Sequence, residues 1–351
     1  MAQSSPLLSY LESHGVQEKL TLAIKSVLKN RPAEPLKAIG HALVQSASAP
    51  AASLAICSWN MAAINNNPFE YWLTHTDPEY ATLMEKVEDF MQSPGDKDVP
   101  VEAIFTQEMF DKLDTHMTKQ GWEGQAECAQ YWSELRSKTI ISGFLKDKAL
   151  GDKRLMSIPD RMTNTIDVLE GACAYRPTPV SSYEGDIPNV AKWWPLWRHF
   201  IFEQKLTIPG KKGAASSEKL PCELLGKIPR SKYSALTEEE ENMSVRLQAV
   251  CLAVFDCILV HMLHTLSNDG KWLDLKKKII ESLTHAKEPM QTNILKNAYA
   301  GTDIIFLQEV RTSTMRTALP EAFGDKYTVH FPNSPSKADQ VTTAPLIEGA
   351  H

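Results

Sequence analysis

Apolar positions change their spacing several times along this chain, and each change predicts an element. Val16, Leu20, Ala23, Ile24, Val27 and Leu28 recur at helical spacing, and Leu36, Ile39, Leu43 and Val44 do so again after Arg31-Pro32-Ala33-Glu34-Pro35. They predict a helical hairpin over residues 5–46. A hairpin of that size cannot bury both apolar faces alone, so it must dock on the rest of the chain or pair with a second copy. Ser46 to Ser53 has no apolar period and reads as a linker, with residues 47–53 separating the hairpin from the first strand. Two short continuous apolar runs then stand far apart: Leu54-Ala55-Ile56-Cys57-Ser58-Trp59-Asn60-Met61 and Asp303-Ile304-Ile305-Phe306-Leu307-Gln308-Glu309-Val310. Each predicts a strand ending in polar residues, the second one covered on both faces. Asn65-Asn66-Asn67-Pro68 is a turn-forming cluster after the first.

Residues 61–302 are far more than one crossover needs and predict a mostly helical insertion, at about 77–300. Pro78 to Met91 places Leu83, Met84, Val87 and Phe90 on one helical face, a second run covers about 101–120, and Gln125 to Phe144 predicts a third with Trp132 and Leu135 inward. Residues 145–190 read as irregular; Arg154, Arg161, Arg176, Tyr175 and Tyr183 there either meet phosphate and sugar or, more simply, are solvated. Trp193, Trp197, Phe200 and Ile201 share a helical face and predict core, the other reading being aromatics that stack bases beside Lys192 and Arg198. Residues 208–221 read as a flexible loop. Thr237 with Glu240 makes a capping box, so the acidic run Glu238 to Glu241 is a helix start. Asp256, His261 and His264 fall on the next helix at a spacing that suits core or surface residues better than metal ligands, and Lys276-Lys277-Lys278 reads as a solvated face. Residues 311–323 predict a helix and Tyr327 to Phe331 a further strand.

With 43% apolar and 23% charged residues in 351, the chain has the composition of an ordinary globular protein of one large or two smaller domains, of mixed α+β class. A net charge of -6 argues against a generally basic nucleic-acid surface. The six cysteines form no Cys-x-x-Cys pair, which points to a reducing, intracellular and cytoplasmic setting without zinc ribbon or disulfide framework. No basic-then-apolar leader opens the sequence, and residues 244–266 are interrupted by Arg246, Asp256, His261 and His264, so neither a signal peptide nor a membrane partner is expected.

Glu309 is the foremost candidate for chemistry. A carboxylate fixed at a strand exit can bind a hard cation such as Mg²⁺ that keeps waters and a phosphate; the alternative is a solvated glutamate at a strand end. The two runs ending in Trp59-Asn60 and Leu307-Gln308-Glu309 together resemble the first two motifs of the endonuclease/exonuclease/phosphatase superfamily, the DNase I-like metal-dependent hydrolases. The wording from Ser58 to Trp72 resembles a protist and algal branch with a large insertion, and the likeness runs over about 54–340. It implies a four-layer α/β/β/α sandwich, catalytic and metal roles for Asn60 and Glu309, Mg²⁺ as cofactor, and attack of a metal-activated water on a phosphoester. The same resemblance calls for an Asp-x-Asn pair and a final Asp-His couple, but neither an Asp-x-Asn nor a Ser-Asp-His string occurs, and 341–351 departs from the pattern. The expectation is a truncated sandwich without activity, whose phosphate-containing substrate (nucleic acid, inositol phosphate, lipid head group or nucleotide) the sequence leaves open.

A second resemblance lies at the start. Tyr10-Leu11, His14-Gly15-Val16, Arg31-Pro32 and Glu34-Pro35-Leu36 resemble the docking-and-dimerisation module of the kinase A regulatory subunit and its dumpy-thirty relatives. It implies a homodimer built as a four-helix bundle through Val16, Leu20, Ile24, Val27, Leu36, Ile39 and Leu43, whose groove takes the amphipathic helix of an anchoring partner. Hydrolase and docking scaffold are therefore the two functional expectations.

Overall fold

A computed structural model describes residues 15–30, 32–45, 54–62, 69, 75–169, 172–210, 215–267, 270–331 and 341–348. Residues 5–14, the linker 47–53, the turn 65–68, Asp339-Gln340 and the end of the 341–351 stretch lie outside the described residues. In chain order come α1 (Val16–Asn30), α2 (Pro35–Gln45), β1 (Ile56–Asn60), α3 (Pro78–Gln92), α4 (Gln107–Lys119), α5 (Gln125–Leu135), α6 (Lys148–Asp152) and α7 (Ser157–Thr163). There follow β2 (Thr165–Asp167), β3 (Cys173–Tyr175), α8 (Val190–Phe202), β4 (Leu206–Ile208), β5 (Ser217–Lys219), α9 (Glu238–Asn242) and α10 (Ser244–Leu266). The rest is α11 (Trp272–Ile280), α12 (Lys287–Ala298), β6 (Ile304–Arg311), α13 (Thr312–Phe323), β7 (Tyr327–Val329) and β8 (Val341–Glu348). The α+β class holds. The chain divides into two compact units, Met1–Ile64 with Met290–His351, and Asn65–Pro289.

The first unit holds the α1–α2 hairpin and a four-stranded sheet of order β1-β6-β8-β7. β1 and β6 pair in parallel from Ile56 opposite Ile304 to Asn60 opposite Gln308. Both were legible as apolar runs, and their period of two sorts them: Ile305 and Leu307 are buried while Ile56 and Phe306 are exposed. On the buried face α13 lays Met315, Leu319 and Phe323, and α12 adds Leu295, against Leu307, Val310, Ala344 and Leu346. The stretch after Gln340, where the sequence departs from the pattern of the resembled family, supplies β8, which runs antiparallel between β6 and β7. Its own alternation explains this, since Ala344 and Leu346 enter the core while Pro345 and Ile347 take the other face.

The second unit is organised around α10. A helix apolar on all sides has to be enclosed, and α3, α4, α5, α7 and α8 pack against it. Among the described helices it is the one long and apolar enough to cross a membrane, and 72% of its most apolar window is buried by its own unit. The aromatic stretch is core, as its spacing predicts: Trp193, Trp197, Phe200 and Ile201 are buried, and Trp194 meets Phe105 edge-on at 5.2 Å. Thr237 and Glu240 make the predicted capping box, with Glu240 N donating to Thr237 Oγ1 at 3.1 Å and Thr237 N to Glu240 at 2.9 Å.

Four readings change in this unit. The helix predicted to Phe144 ends at Leu135, because Thr139 starts a separate π-helical turn, Ile140–Leu145, by accepting from Gly143 N at 3.0 Å. Residues 145–190 contain α6, α7 and the β2–β3 hairpin, and the loop read at 208–221 is flanked by the paired strands β4 and β5. Lys276, read as part of a solvated face, is buried, and so is Arg176. Lys276 falls on the same helical face as Trp272, Leu275 and Ile279, which bury that side of α11.

Candidate functional site

Parallel strands bring their carboxyl ends together, so β1 and β6 deliver Asn60 and Gln308-Glu309 to one edge of the sheet. There the backbone leaves regular geometry. Leu307 pairs with Ala344 but Val310 pairs with Thr342, so Gln308 and Glu309 together oppose the single residue Thr343 in a β-bulge. Glu309 takes a φ of +50° in that bulge, and Ala62, two residues past Asn60, takes +48°. Left-handed backbone costs a residue with a side chain about 1–2 kcal/mol, and it persists where the surroundings dictate it, most often at functional positions. Here the ladder on both sides of the bulge does so. Met61 N donates to Gln308 O at 2.8 Å, and Gln291 Nε2 donates to Met61 O at 2.8 Å.

The side chains offer limited ligation. Asn60 Oδ1 already accepts from Ala62 N at 2.8 Å, and Gln308 Nε2 donates to Ser58 Oγ at 3.0 Å. Glu309 is exposed. Among the described residues no group of three or more His, Cys, Asp or Glu could share a metal ion. One carboxylate and the free lone pair of one amide oxygen fit a hydrated Mg²⁺ held at its edge, not a full coordination shell. Of the predicted site residues, then, Asn60 and Glu309 are brought to the same edge of the sheet.

The predicted docking residues are divided. Val16, Leu20, Ile24 and Leu36 are exposed on the hairpin, whereas Val27, Ile39 and Leu43 are half-buried. Asp256, His261 and His264 do not form a metal set. Burial, then the charge of His264, pushes the His261 imidazole below its ordinary range, while Asp256 has other partners altogether.

Those partners form a buried network that the sequence reading missed. Arg176 donates through Nε to Asp256 at 2.7 Å, through Nη2 to Asp160 at 2.6 Å, and through Nη1 to Thr163 Oγ1 at 2.8 Å. Asp256 also accepts from Thr178 Oγ1 at 2.7 Å and from Trp197 Nε1 at 2.8 Å. Burial raises the Asp256 pKa, opposed by Arg176 and Thr178; burial lowers that of Arg176, but Asp256 and Asp160 outweigh it and hold it up. The two directions disagree about whether the pair favours ionisation. The ion pair is the state we adopt, because a guanidinium does not deprotonate and the carboxylate faces donors on every side. Beside it, Lys276 Nζ donates to the carbonyls of Thr178 at 2.8 Å and Tyr183 at 2.5 Å, and burial pushes its amine down to about 7. The available signal was Asp256 itself, a carboxylate in the middle of an otherwise apolar helix, which requires a buried cation from elsewhere in the chain. A second network ties Arg246 of α10 to Asp114 at 2.8 Å and to Trp122 O at 2.6 Å.

No curated protein and no solved structure matches this chain. Residues 98–277, which hold α4 to α10 and both buried charge networks, match the family described as Domain of unknown function (DUF8234), and the chain belongs to that family.

Proposed function

We propose that the first unit is a phosphoester-hydrolase sheet of the endonuclease/exonuclease/phosphatase type, carrying the metal end of the site and lacking the proton-transfer end within residues 1–351. The juxtaposition of Asn60 with Gln308-Glu309 at the carboxyl ends of two parallel strands, one bulged at Glu309, carries this reading. The sheet's second face supports it. Ile56 and Phe306 are 58% and 42% exposed there, an apolar surface suited to the second sheet of a four-layer sandwich. Mg²⁺ when bound would supply charge neutralisation at a phosphate; Glu309 would hold it and Asn60 would orient it. All six cysteines are free thiols, which fits a cytoplasmic protein.

The test is cation binding beside turnover. Mn²⁺, as a paramagnetic stand-in, should bind the full chain and be released by Glu309→Ala, read from the free-ion resonance signal. Hydrolysis of a generic phosphodiester should stay at background in both proteins. Absence of Glu309-dependent binding would sink the reading, and turnover abolished by Glu309→Ala would show that the site is complete.

A second reading has its own support. On the folded hairpin Leu36 is 84% and Leu20 is 42% exposed, a ridge that leaves water when a second hairpin or an amphipathic helix covers it. This makes the chain a docking scaffold that dimerises through α1 and α2.

A further inference from the structure

The second unit contains a cavity that neither the sheet edge nor the hairpin explains. Its volume is about 390 Å³, within the range of small-molecule sites. Pro177, Leu196, Phe200 and Ile280 give it an apolar side. Around it stand Tyr183, Glu184, His199, Gln204 and His285. The walls are held by the buried network: Arg176 sits between the lining residues Tyr175 and Pro177, and Lys276 binds the carbonyls on either side of Ser182, those of Thr178 and Tyr183. A cavity whose wall is pinned by buried ion pairs is preorganised, so a ligand need not order it.

Charge at the opening selects the ligand. Glu184 Oε1 lies 3.8 Å from His285 Nε2, and both side chains are more than half exposed. His199 Nδ1 lies 3.2 Å from Glu203, whose carboxyl His199 holds below the usual range. Two carboxylates, Glu184 and Glu203, thus stand at the opening, each beside an imidazole. Lys276 lies buried over the Tyr183 ring, 5.8 Å from its centroid, with Nζ turned into two backbone carbonyls and burial lowering its pKa to about 7. Aromatic faces beside a carboxylate suit an organic cation.

We propose that this cavity binds a small molecule with an aromatic or apolar body and a protonated amine, the body on Leu196, Phe200 and Ile280 and the amine between Glu184 and the Tyr183 ring. The amine displaces His285 from Glu184, so the site is selective for charge as well as shape.

Three probes with one body separate the possibilities: phenethylamine, 2-phenylethanol and 3-phenylpropionate, titrated against the full chain by ligand-observed saturation-transfer NMR. Phenethylamine should bind saturably, at least fivefold tighter than the alcohol, with the carboxylate weakest. Glu184→Gln, a change at an exposed side chain, should remove that fivefold preference and leave alcohol binding unchanged. Leu196→Trp should fill the apolar side of the cavity and abolish binding of both. Equal binding of amine and carboxylate, an unchanged preference in Glu184→Gln, binding that survives Leu196→Trp, or no saturable binding of phenethylamine would each overturn the proposal.

Discussion

Replacing Asp256 by leucine should destabilise the second unit by about 3–5 kcal/mol, the cost of removing one partner from a buried ion pair. The geometry sets where in that range it falls. Asp256 accepts from Arg176 Nε and Nη2 at 2.7 and 3.2 Å, from Thr178 at 2.7 Å and from Trp197 at 2.8 Å, and its loss strands all of these buried donors. Arg176 keeps Asp160, whose side chain is 31% exposed, so the guanidinium is not left wholly unpaired and the lower half of the range is expected. Arg176→Met alone leaves a buried carboxylate that protonates instead, at similar cost. The double variant buries no charge, so its effect should fall short of the sum by about 2 kcal/mol. Every tryptophan except Trp59 lies in Asn65–Pro289, so denaturant unfolding followed by tryptophan emission reports this unit. In thermal terms each single variant lowers its midpoint by about 6–20 °C. A loss under about 1 kcal/mol for Asp256→Leu, or a cycle additive within about 0.5 kcal/mol, would refute the reasoning.

Other consequences rest on the same geometry. Glu309→Gly should strengthen β6 protection by about 1 kcal/mol, since glycine alone adopts the left-handed bulge freely, while the β-branched Glu309→Val should weaken it; amide exchange along β6 decides. Leu20→Asp with Ile24→Asp should convert a dimer to a monomer in light scattering without moving the tryptophan-detected transition, and a parent chain already monomeric would end the docking reading. Burial, then Arg198, holds the His116 imidazole below its ordinary 6.5 against Glu203, and burial does the same to His261. A folded-state pKa below the unfolded one contributes stability that is full above pH 6.5 and lost as pH falls through the lowered values. The midpoint of the second unit should therefore drop as pH falls below 6.5, and His116→Gln with His261→Gln should flatten that slope. An unchanged slope would show that these imidazoles are not the groups taking up the protons.

What the sequence made legible was periodic. The β1 and β6 runs, the helical spacing of α1 to α3, and the capping box at Thr237 all announce themselves locally, whereas the parallel pairing of β1 with β6 comes from the structure. What it concealed depends on long separations. Lys276 directly precedes two exposed lysines on a helix, and only the carbonyls of residues some ninety positions earlier make its burial tolerable. Arg176 lay in a stretch without period, where nothing local distinguishes a solvated guanidinium from one paired eighty positions away. β8 was missed for another reason: Pro345 inside the run argues against a strand, and the tertiary ladder to β6 overrides it. At the site, Asn60 and Glu309 were legible, while the bulge that gives Glu309 its left-handed backbone was not.

The strand order also dictates a timetable. The second unit is one unbroken stretch, Asn65–Pro289, whereas β1 waits for β6, about 250 positions downstream, and β7 joins the sheet only through β8. During synthesis the helical unit can close first, and in closing it brings the two ends of the interrupted unit within reach of each other. That shortens the effective loop to be closed and offsets much of the entropy the β1–β6 pairing would cost. Until residues 341–348 emerge, β6 has one side of its ladder open to solvent and to neighbouring chains. Damage to the helical unit therefore reaches the sheet through the order of assembly, even when no residue of the sheet has changed.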